Sequence, residues 1–220
     1  MEWIYHQPSF EYEQYPISIK HLSAWTGHCN FAYDLVRFLK PKRIVELGSY
    51  YGTSFFSFCQ AVKDEALATT CYAVDTWKGD PQSGYYNNQV FELVKKIRTE
   101  YYLDISELIP KTFDQAVMMF EDSTIDVLHI DGYHTFEAVS HDYLTWLPKL
   151  SDQGVILFHD ISVKVNGFGV YLLWEKLKQL YPSIEFKHSY GLGVLFPKGI
   201  KEHYNQMFEK SAEMQKIYIE

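Results

Sequence analysis

Cysteine is scarce: Cys29, Cys59 and Cys71 are the only three in 220 residues. They are scattered, odd in number and form no C-x-x-C pair, so neither a disulfide framework nor a structural zinc site is read from them. Cys59 sits in an apolar helical pattern and Cys71 opens a strand pattern, as small core residues do. Basic charge is also short, with 20 Lys and Arg against 28 Asp and Glu and a net charge of -8. That argues against general affinity for nucleic acid or anionic membrane. The longest basic cluster, "KPKR" at Lys40 to Arg43, reads as a solvated loop. No run approaches the ~18 apolar residues of a membrane span. The opening "MEWIYHQPSF" has an early acid and no apolar h-region, so it is not read as a secretory signal. Repeats, low-complexity tracts and Pro/Gly/Ser linkers are missing too. These absences fit a soluble protein of a reducing, cytoplasmic compartment.

What the chain does have is apolar and aromatic mass, 47% and 17% of its residues, enough for a well-filled globular protein. Its length suits one α/β domain, or at most two small ones. From about residue 42, short β-type runs alternate with helical patterns. "RIVEL" precedes a helix from about Thr53 to Ala66, and "CYAVD" precedes one around Gln89 to Tyr101, where Val90, Leu93, Val94, Ile97 and Tyr101 recur at helical spacing. "ISELI" reads as a weak third strand, followed by a short helix from Asp114 to Phe120. "IDVLHID" and "GVILFHD" are near-continuous apolar runs, as buried parallel strands are. Between them Phe136, Val139, Tyr143, Leu144, Leu147 and Leu150 mark a helix.

Such alternation predicts a parallel sheet with helices on both faces. "SIEFKH" and "LGVLF", separated by a few residues including Gly191, predict a terminal antiparallel hairpin. The expected division is one domain over 1–220. Residues 1–40 form a helical cap with apolar faces from Leu22, Trp25, Phe31, Leu35 and Phe38; 41–198 form the core, and 199–220 a C-terminal helix.

Four strands end in polar groups: Glu46, Asp75, Asp131 and the pair His159–Asp160. In an open parallel sheet, ligands bind in the crevice beyond the carboxyl ends of the strands. None of these groups suits burial without a partner, although a strand-end carboxylate can simply cap the next helix. Between strand and helix, "VELGSYYGTS" places Gly48 and Gly52 around Tyr50. This G-x-x-x-G spacing is neither the dinucleotide nor the phosphate-loop pattern, and it lacks the lysine a nucleoside triphosphatase would need. A tight turn explains it; so does a loop kept bare for a ligand without phosphates. Asp75 is placed to accept from both hydroxyls of an adenosine ribose.

"VELGSYYGTS" resembles the first motif of class I S-adenosylmethionine-dependent methyltransferases, and locally that of catechol-type, metal-dependent O-methyltransferases. "IDGYHTFEAVSHDYLTWLP" with "GVILFHD" resembles bacterial methyltransferases found with glycosyltransferases and polysaccharide genes. The resemblance covers roughly residues 20 to 196. It implies a Rossmann-like fold, with a mostly parallel seven-stranded sheet, a terminal antiparallel hairpin and helices on both faces. It further implies that Glu46 with Gly48, Ser49, Tyr50, Gly52, Thr53 and Ser54 holds the methionine part of the cofactor, that Asp75 holds the ribose, and that Trp77, Thr112 and Phe113 lie near the adenine, while Asp131 is expected both to contact the cofactor and to take part in catalysis. The implied acceptor is a sugar hydroxyl of a glycan or glycosylated natural product, or another small molecule. A homo-oligomer and association with glycosyltransferases are further expectations.

In catechol-type enzymes a divalent cation is held by one acid after strand four and two adjacent polar residues after strand five. Those positions match Asp131, His159 and Asp160, with a histidine where the family has a carboxylate. Magnesium prefers oxygen ligands and imidazole suits manganese and later metals, so the resemblance leaves the metal's identity open. His134 matches the position of the catalytic lysine, and an imidazole there could take a hydroxyl proton near neutral pH, which makes His134 the expected base. Plainer readings stand beside each: His134 as a helix cap, His159 bonded to backbone; His28 reads as reaching the cofactor or acceptor from the N-terminal cap, or as a structural residue. "WKGDPQSGYYNN" at Trp77 to Asn88 reads as a lid or as a packed surface loop. Phe55, Phe56 and Phe58 read as core. A nicotinamide-dependent oxidoreductase and a non-catalytic cofactor-binding module are the rivals.

Overall fold

A computed structural model describes residues 2–19, 22–82, 84–165 and 167–219. Seven strands form one sheet: β1 (Arg43–Leu47), β2 (Thr70–Val74), β3 (Ser106–Ile109), β4 (Ile125–Ile130), β5 (Leu150–His159), β6 (Ser183–Phe186) and β7 (Leu192–Leu195). Their order is β3-β2-β1-β4-β5-β7-β6. The first five are mutually parallel, and β7 runs antiparallel to both β5 and β6. The predicted parallel sheet with its terminal hairpin is therefore present.

Period-2 alternation divides the strand side chains between two cores. Ile44 and Val127 face a cluster with Phe55, Phe56 and Phe58, all fully buried; these belong to α2 (Thr53–Asp64), which packs beside α1 (Cys29–Leu39). Val45, Leu47, Leu128 and Ile130 face the second cluster, shared with α5 (Phe136–Trp146) and α6 (Val170–Leu180). Cys59 and Cys71 are buried free thiols, as read.

Several boundaries move, each for a local reason. The helix expected to reach Leu150 stops at Trp146 and becomes a 3-10 turn over Leu147–Lys149 containing Pro148, whose ring supplies no backbone donor. Leu150 already belongs to β5, and Leu144 is 65% exposed. The helix expected around Gln89 to Tyr101 is α3 (Gln89–Tyr101), and the expected Asp114–Phe120 helix is α4 (Phe113–Ala116), started by a Thr112/Gln115 capping box and followed by a 3-10 turn over Val117–Met119. The N-terminal cap is helical mainly over Ala24–Leu39, counting a 3-10 turn at Ala24–His28. Leu22 is 47% exposed rather than packed beneath it. Within 199–219 the chain forms two short helices, α7 (Asn205–Glu209) and α8 (Ser211–Ile217), in place of one.

The ladder continues one residue beyond the strands. Gly48 N–H donates to the Val74 carbonyl and Asp131 N–H to the Leu47 carbonyl, both at 2.9 Å. Ile130 is paired with Phe158, which sets Asp131 beside His159 at the carboxyl edge. Where β1 and β4 adjoin, the crossovers diverge to opposite faces, and the crevice opens there. No helix of the described residues is long and apolar enough to cross a membrane.

Candidate active site

Asp75 joins the two loops at this edge. Its Oδ2 accepts from Ser49 N and Tyr50 N at 2.9 Å each, and its Oδ1 from Trp77 N at 2.7 Å. Burial pushes the carboxyl up, against the pull of these amides. A carboxylate has roughly four lone-pair sites, so room for about one further hydrogen bond remains, not for both ribose hydroxyls. Trp77 is 2% exposed, donates from Nε1 to the Tyr50 carbonyl at 2.9 Å and packs on Phe91. It braces the loop from below, and Thr76 takes the place at the cavity wall expected of Trp77.

The glycines are demanded first by the loop itself. Gly48 has φ +86, and a Cβ there would lie 2.1 Å from the Asp131 carbonyl oxygen. Gly52 has φ +85, and its Cβ would meet the Phe56 ring at 2.7 Å. Only Gly48 of the two lines the cavity.

Glu46 also departs from expectation. It stands opposite His129 in the β1–β4 register, and alternation sends both side chains into the α1/α2 face, not out of the edge. His129 Nδ1 donates to Glu46 Oε2 at 2.8 Å, and Trp25 Nε1 donates to His129 Nε2 at 3.1 Å. Glu46 thus anchors Trp25, a wall of the cavity, and does not itself line it. Glu46 Oε1 and Ser49 Oγ remain buried without a hydrogen-bond partner.

One cavity of about 600 Å³ runs along the strand ends, within the ordinary range for small-molecule sites. Gly48, Ser49, Tyr50, Thr53, Ser54, Asp75, Thr112, Phe113 and Asp131 line it. The Trp77–Asn88 segment, read as a lid or as a packed loop, contributes Gly79, Asp80, Gln82 and Tyr86 to the wall. Trp25, Tyr133, Val163, Val165, Phe168 and Tyr190 complete the walls and were not singled out in sequence as site residues. They come from loops distant in the chain and follow no spacing rule. His28 is fully buried, bonded to the Ser189 carbonyl, and is structural.

At the far end lie two acids and two imidazoles. His134 Nε2 stands 2.9 Å from Asp160 Oδ2 and 3.7 Å from Asp131 Oδ1. His159 Nδ1 stands 3.3 Å from Asp131 Oδ1 and 3.5 Å from Asp160 Oδ2, while its Nε2 donates to the Ser189 carbonyl at 3.0 Å. Burial opposes the charge on every member. The pairing outweighs it: the flanking carboxylates hold His134 up at about 9 and His159 at about 10, and the imidazolium groups hold both acids below their usual range. Charge here is balanced by protons.

The donors that converge for a cation, with ligand atoms within 4.8 Å of one another, are Asp131, His134 and Asp160. His134 thus stands where His159 was expected among the ligands. Two carboxylates and an imidazole form a mixed O/N set that suits manganese and later metals as well as, or better than, magnesium. The donor chemistry fits a divalent cation.

This arrangement carries a pH signature. The folded pKa values of His134 and His159 lie above the ordinary 6.5. Their stabilisation is therefore complete below about 6.5 and lost as pH rises through about 9 to 10. The melting temperature of metal-free protein is expected to fall between about pH 7 and pH 10, and manganese to flatten that fall by replacing the protons. A calorimetric scan series in pH, with and without manganese, checks it; a flat metal-free profile would contradict the pairing.

The model of the methyltransferase domain family matches residues 45–161, from β1 to just past Asp160 and over half of the chain. The chain belongs to this methyltransferase family. An uncharacterized protein of Sinorhizobium fredii is 45% identical over 185 residues, 82% of this chain but 20% of its own length. The chain thus spans about a fifth of that relative. Among solved structures, the S-adenosylhomocysteine-bound Podospora anserina methyltransferase PaMTH1 aligns with a TM-score of 0.59 at 15% identity, covering 76% of each chain. The O-methyltransferase TomG of Streptomyces achromogenes, solved with S-adenosylmethionine, aligns at 0.56 and 13% identity over 84% of this chain and 93% of its own. These likenesses establish the class I methyltransferase fold.

Proposed function

We propose that this methyltransferase uses S-adenosylmethionine to methylate a hydroxyl oxygen, with a sugar hydroxyl of a glycan or glycosylated natural product as the acceptor. The observation that carries the reading is the continuity of the cavity, from the Gly48–Ser49 loop and Asp75, past Thr112 and Phe113, to the Asp131–His134–Asp160 cluster. A cofactor end and the acid–imidazole cluster would thus share one space. The buried, unpartnered Ser49 Oγ on the cavity wall offers a hydrogen bond that the chain leaves unmade. The sugar assignment rests on the sequence resemblance; Tyr50, Tyr86, Tyr133 and Tyr190 in the walls offer flat apolar faces compatible with it.

Bound there, S-adenosylmethionine would supply an electrophilic methyl group, and a divalent cation would lower the pKa of an acceptor hydroxyl. The chain's own residues position and deprotonate. Ser49, Asp75, Thr112 and Phe113 hold the cofactor end, while Asp131, Asp160 and His134 would hold the cation. In metal-free protein His134 is charged by its two acids and cannot accept a proton, and those acids, held below their usual range, are poor acceptors. An acceptor hydroxyl that took the place of His134 on the cation would leave Nε2, no longer charged by the two neutralised acids, free to take the hydroxyl proton.

Calorimetric titration of metal-stripped protein with S-adenosylhomocysteine, repeated with magnesium or manganese, tests the reading. Saturable binding is expected, with a separate heat for the metal that Asp131→Asn abolishes. Absence of nucleoside binding in every condition would overturn it and return attention to nicotinamide cofactors.

A further inference from the structure

The turn "GDPQSG" after β2 carries an amide side chain, that of Gln82, which joins three loops of the site. Asp80 and Pro81 precede Gln82, and Asp80 Oδ1 accepts from Gln82 N at 2.6 Å. This is an Asx turn with proline pre-setting its bend. Gly79–Asp80 and Gly84–Tyr85 pair as a two-residue antiparallel ladder that holds the turn from both sides. Its tip projects Gln82 into the cavity wall.

There the Gln82 amide bonds in two directions. Its Nε2 donates to the Gly167 carbonyl at 2.8 Å, in the loop after β5. Its Oε1 accepts from His134 N at 3.0 Å, in the loop after β4, and lies 3.2 Å from His134 Nδ1. A backbone carbonyl at one end and a backbone N–H at the other settle which amide atom is oxygen, independently of the imidazole. The atom facing Nδ1 is therefore an acceptor, so Nδ1 must carry a proton. His134 is clamped further by the Phe168 ring, 4.8 Å away and 11° from parallel, and by Gly169 N–H donating to its carbonyl at 2.7 Å.

We infer that Gln82 is a positioning residue: it fastens the loop after β2 across the cavity and fixes His134 with Nδ1 as donor, so that Nε2 is the nitrogen turned toward Asp131 and Asp160. Glutamine alone among similar side chains meets both demands. Asparagine is one methylene short, and glutamate would set an oxygen against the Gly167 carbonyl. The catalytic consequence rests on the methyl-transfer reading above; the clasp does not.

Gln82→Leu, which keeps a bulky side chain at the turn and removes both bonds, tests it by three readouts. Amide exchange at His134, followed by NMR, should quicken tenfold or more in the variant. The His134 Nδ1–H resonance should broaden by faster exchange with water. Manganese, titrated alone by electron paramagnetic resonance, should bind about 10- to 100-fold more weakly, the usual effect of removing a ligand's outer partner. Gln82→Glu keeps the acceptor toward His134 and should retain the slow His134 amide while freeing Gly167. An unchanged melting temperature in both variants would exclude general unfolding. Unaltered exchange at the His134 amide and Nδ1–H in Gln82→Leu would overturn the clasp, whatever the protein methylates. A protein that shows the clasp signals yet binds no S-adenosylhomocysteine would count against the methyl-transfer reading instead.

Discussion

Asp160→Asn is expected to lower methyl transfer by roughly 10²- to 10⁴-fold, the range for removing a proton acceptor or an activating ligand. Asparagine is the informative replacement. Asp160 has φ +62, a left-handed conformation that asparagine tolerates and a branched or bulkier residue does not. The variant keeps the side chain's shape and removes its charge, leaving His134 and His159 to share the single carboxylate of Asp131. Their protonated forms lose support, and leaving buried imidazolium groups underpaired destabilises the metal-free protein, by up to about 3–5 kcal/mol where a buried pair is broken outright. S-adenosylhomocysteine affinity should change little, because Ser49, Thr112 and Phe113 are untouched. Radiolabelled methyl transfer, metal titration and a melting curve distinguish these effects. Retention of full turnover would remove Asp160 from the chemistry.

Gly48→Ala is expected to have the largest structural effect. Its Cβ would lie 2.1 Å from the Asp131 carbonyl oxygen and 2.7 Å from the carbonyl carbon, at φ +86. The obstruction is backbone at the end of β4, held by the sheet ladder, so it cannot swing aside. The left-handed conformation costs about 1–2 kcal/mol for an L-residue, and overpacking adds about 1–3 kcal/mol. A loss of roughly 2–5 kcal/mol in denaturant unfolding should accompany loss of S-adenosylhomocysteine binding, since Asp131 and the Ser49 loop shift together. Gly84→Ala is the control. Its φ is +84 but nothing lies within 4 Å of the added carbon, so only the backbone penalty of about 1–2 kcal/mol applies. Equal losses in the two variants would show that the close approach at Gly48 is not what matters.

The position of Glu46 shows where local pattern stops being informative. Counting along "RIVEL" gives the face of each side chain, but only the pairing of Glu46 with His129 reveals that this acid is used inside the protein. Trp77 is similar: an aromatic residue after a ribose acid reads as an adenine contact, yet its indole is spent bracing the Tyr50 carbonyl. Both faults have one cause. A strand-end polar residue advertises a need for a partner without naming the partner.

By itself the sequence determined the layered α/β architecture, the antiparallel finish and the polar carboxyl edge. Each depends on periodicity or on a turn within a few residues, and such rules act locally. It also determined that Gly48, Asp75, Asp131 and Asp160 stand at that edge, because a strand's last residue fixes where its loop begins. Only the tertiary structure decided that His134 joins His159 in turning a ring nitrogen into the acid pair, and that Gln82 holds it there. Those choices depend on how three loops, separated by tens of residues, settle against one another. Their side chains are selected by mutual distance and hydrogen-bond geometry, and spacing along the chain does not encode either.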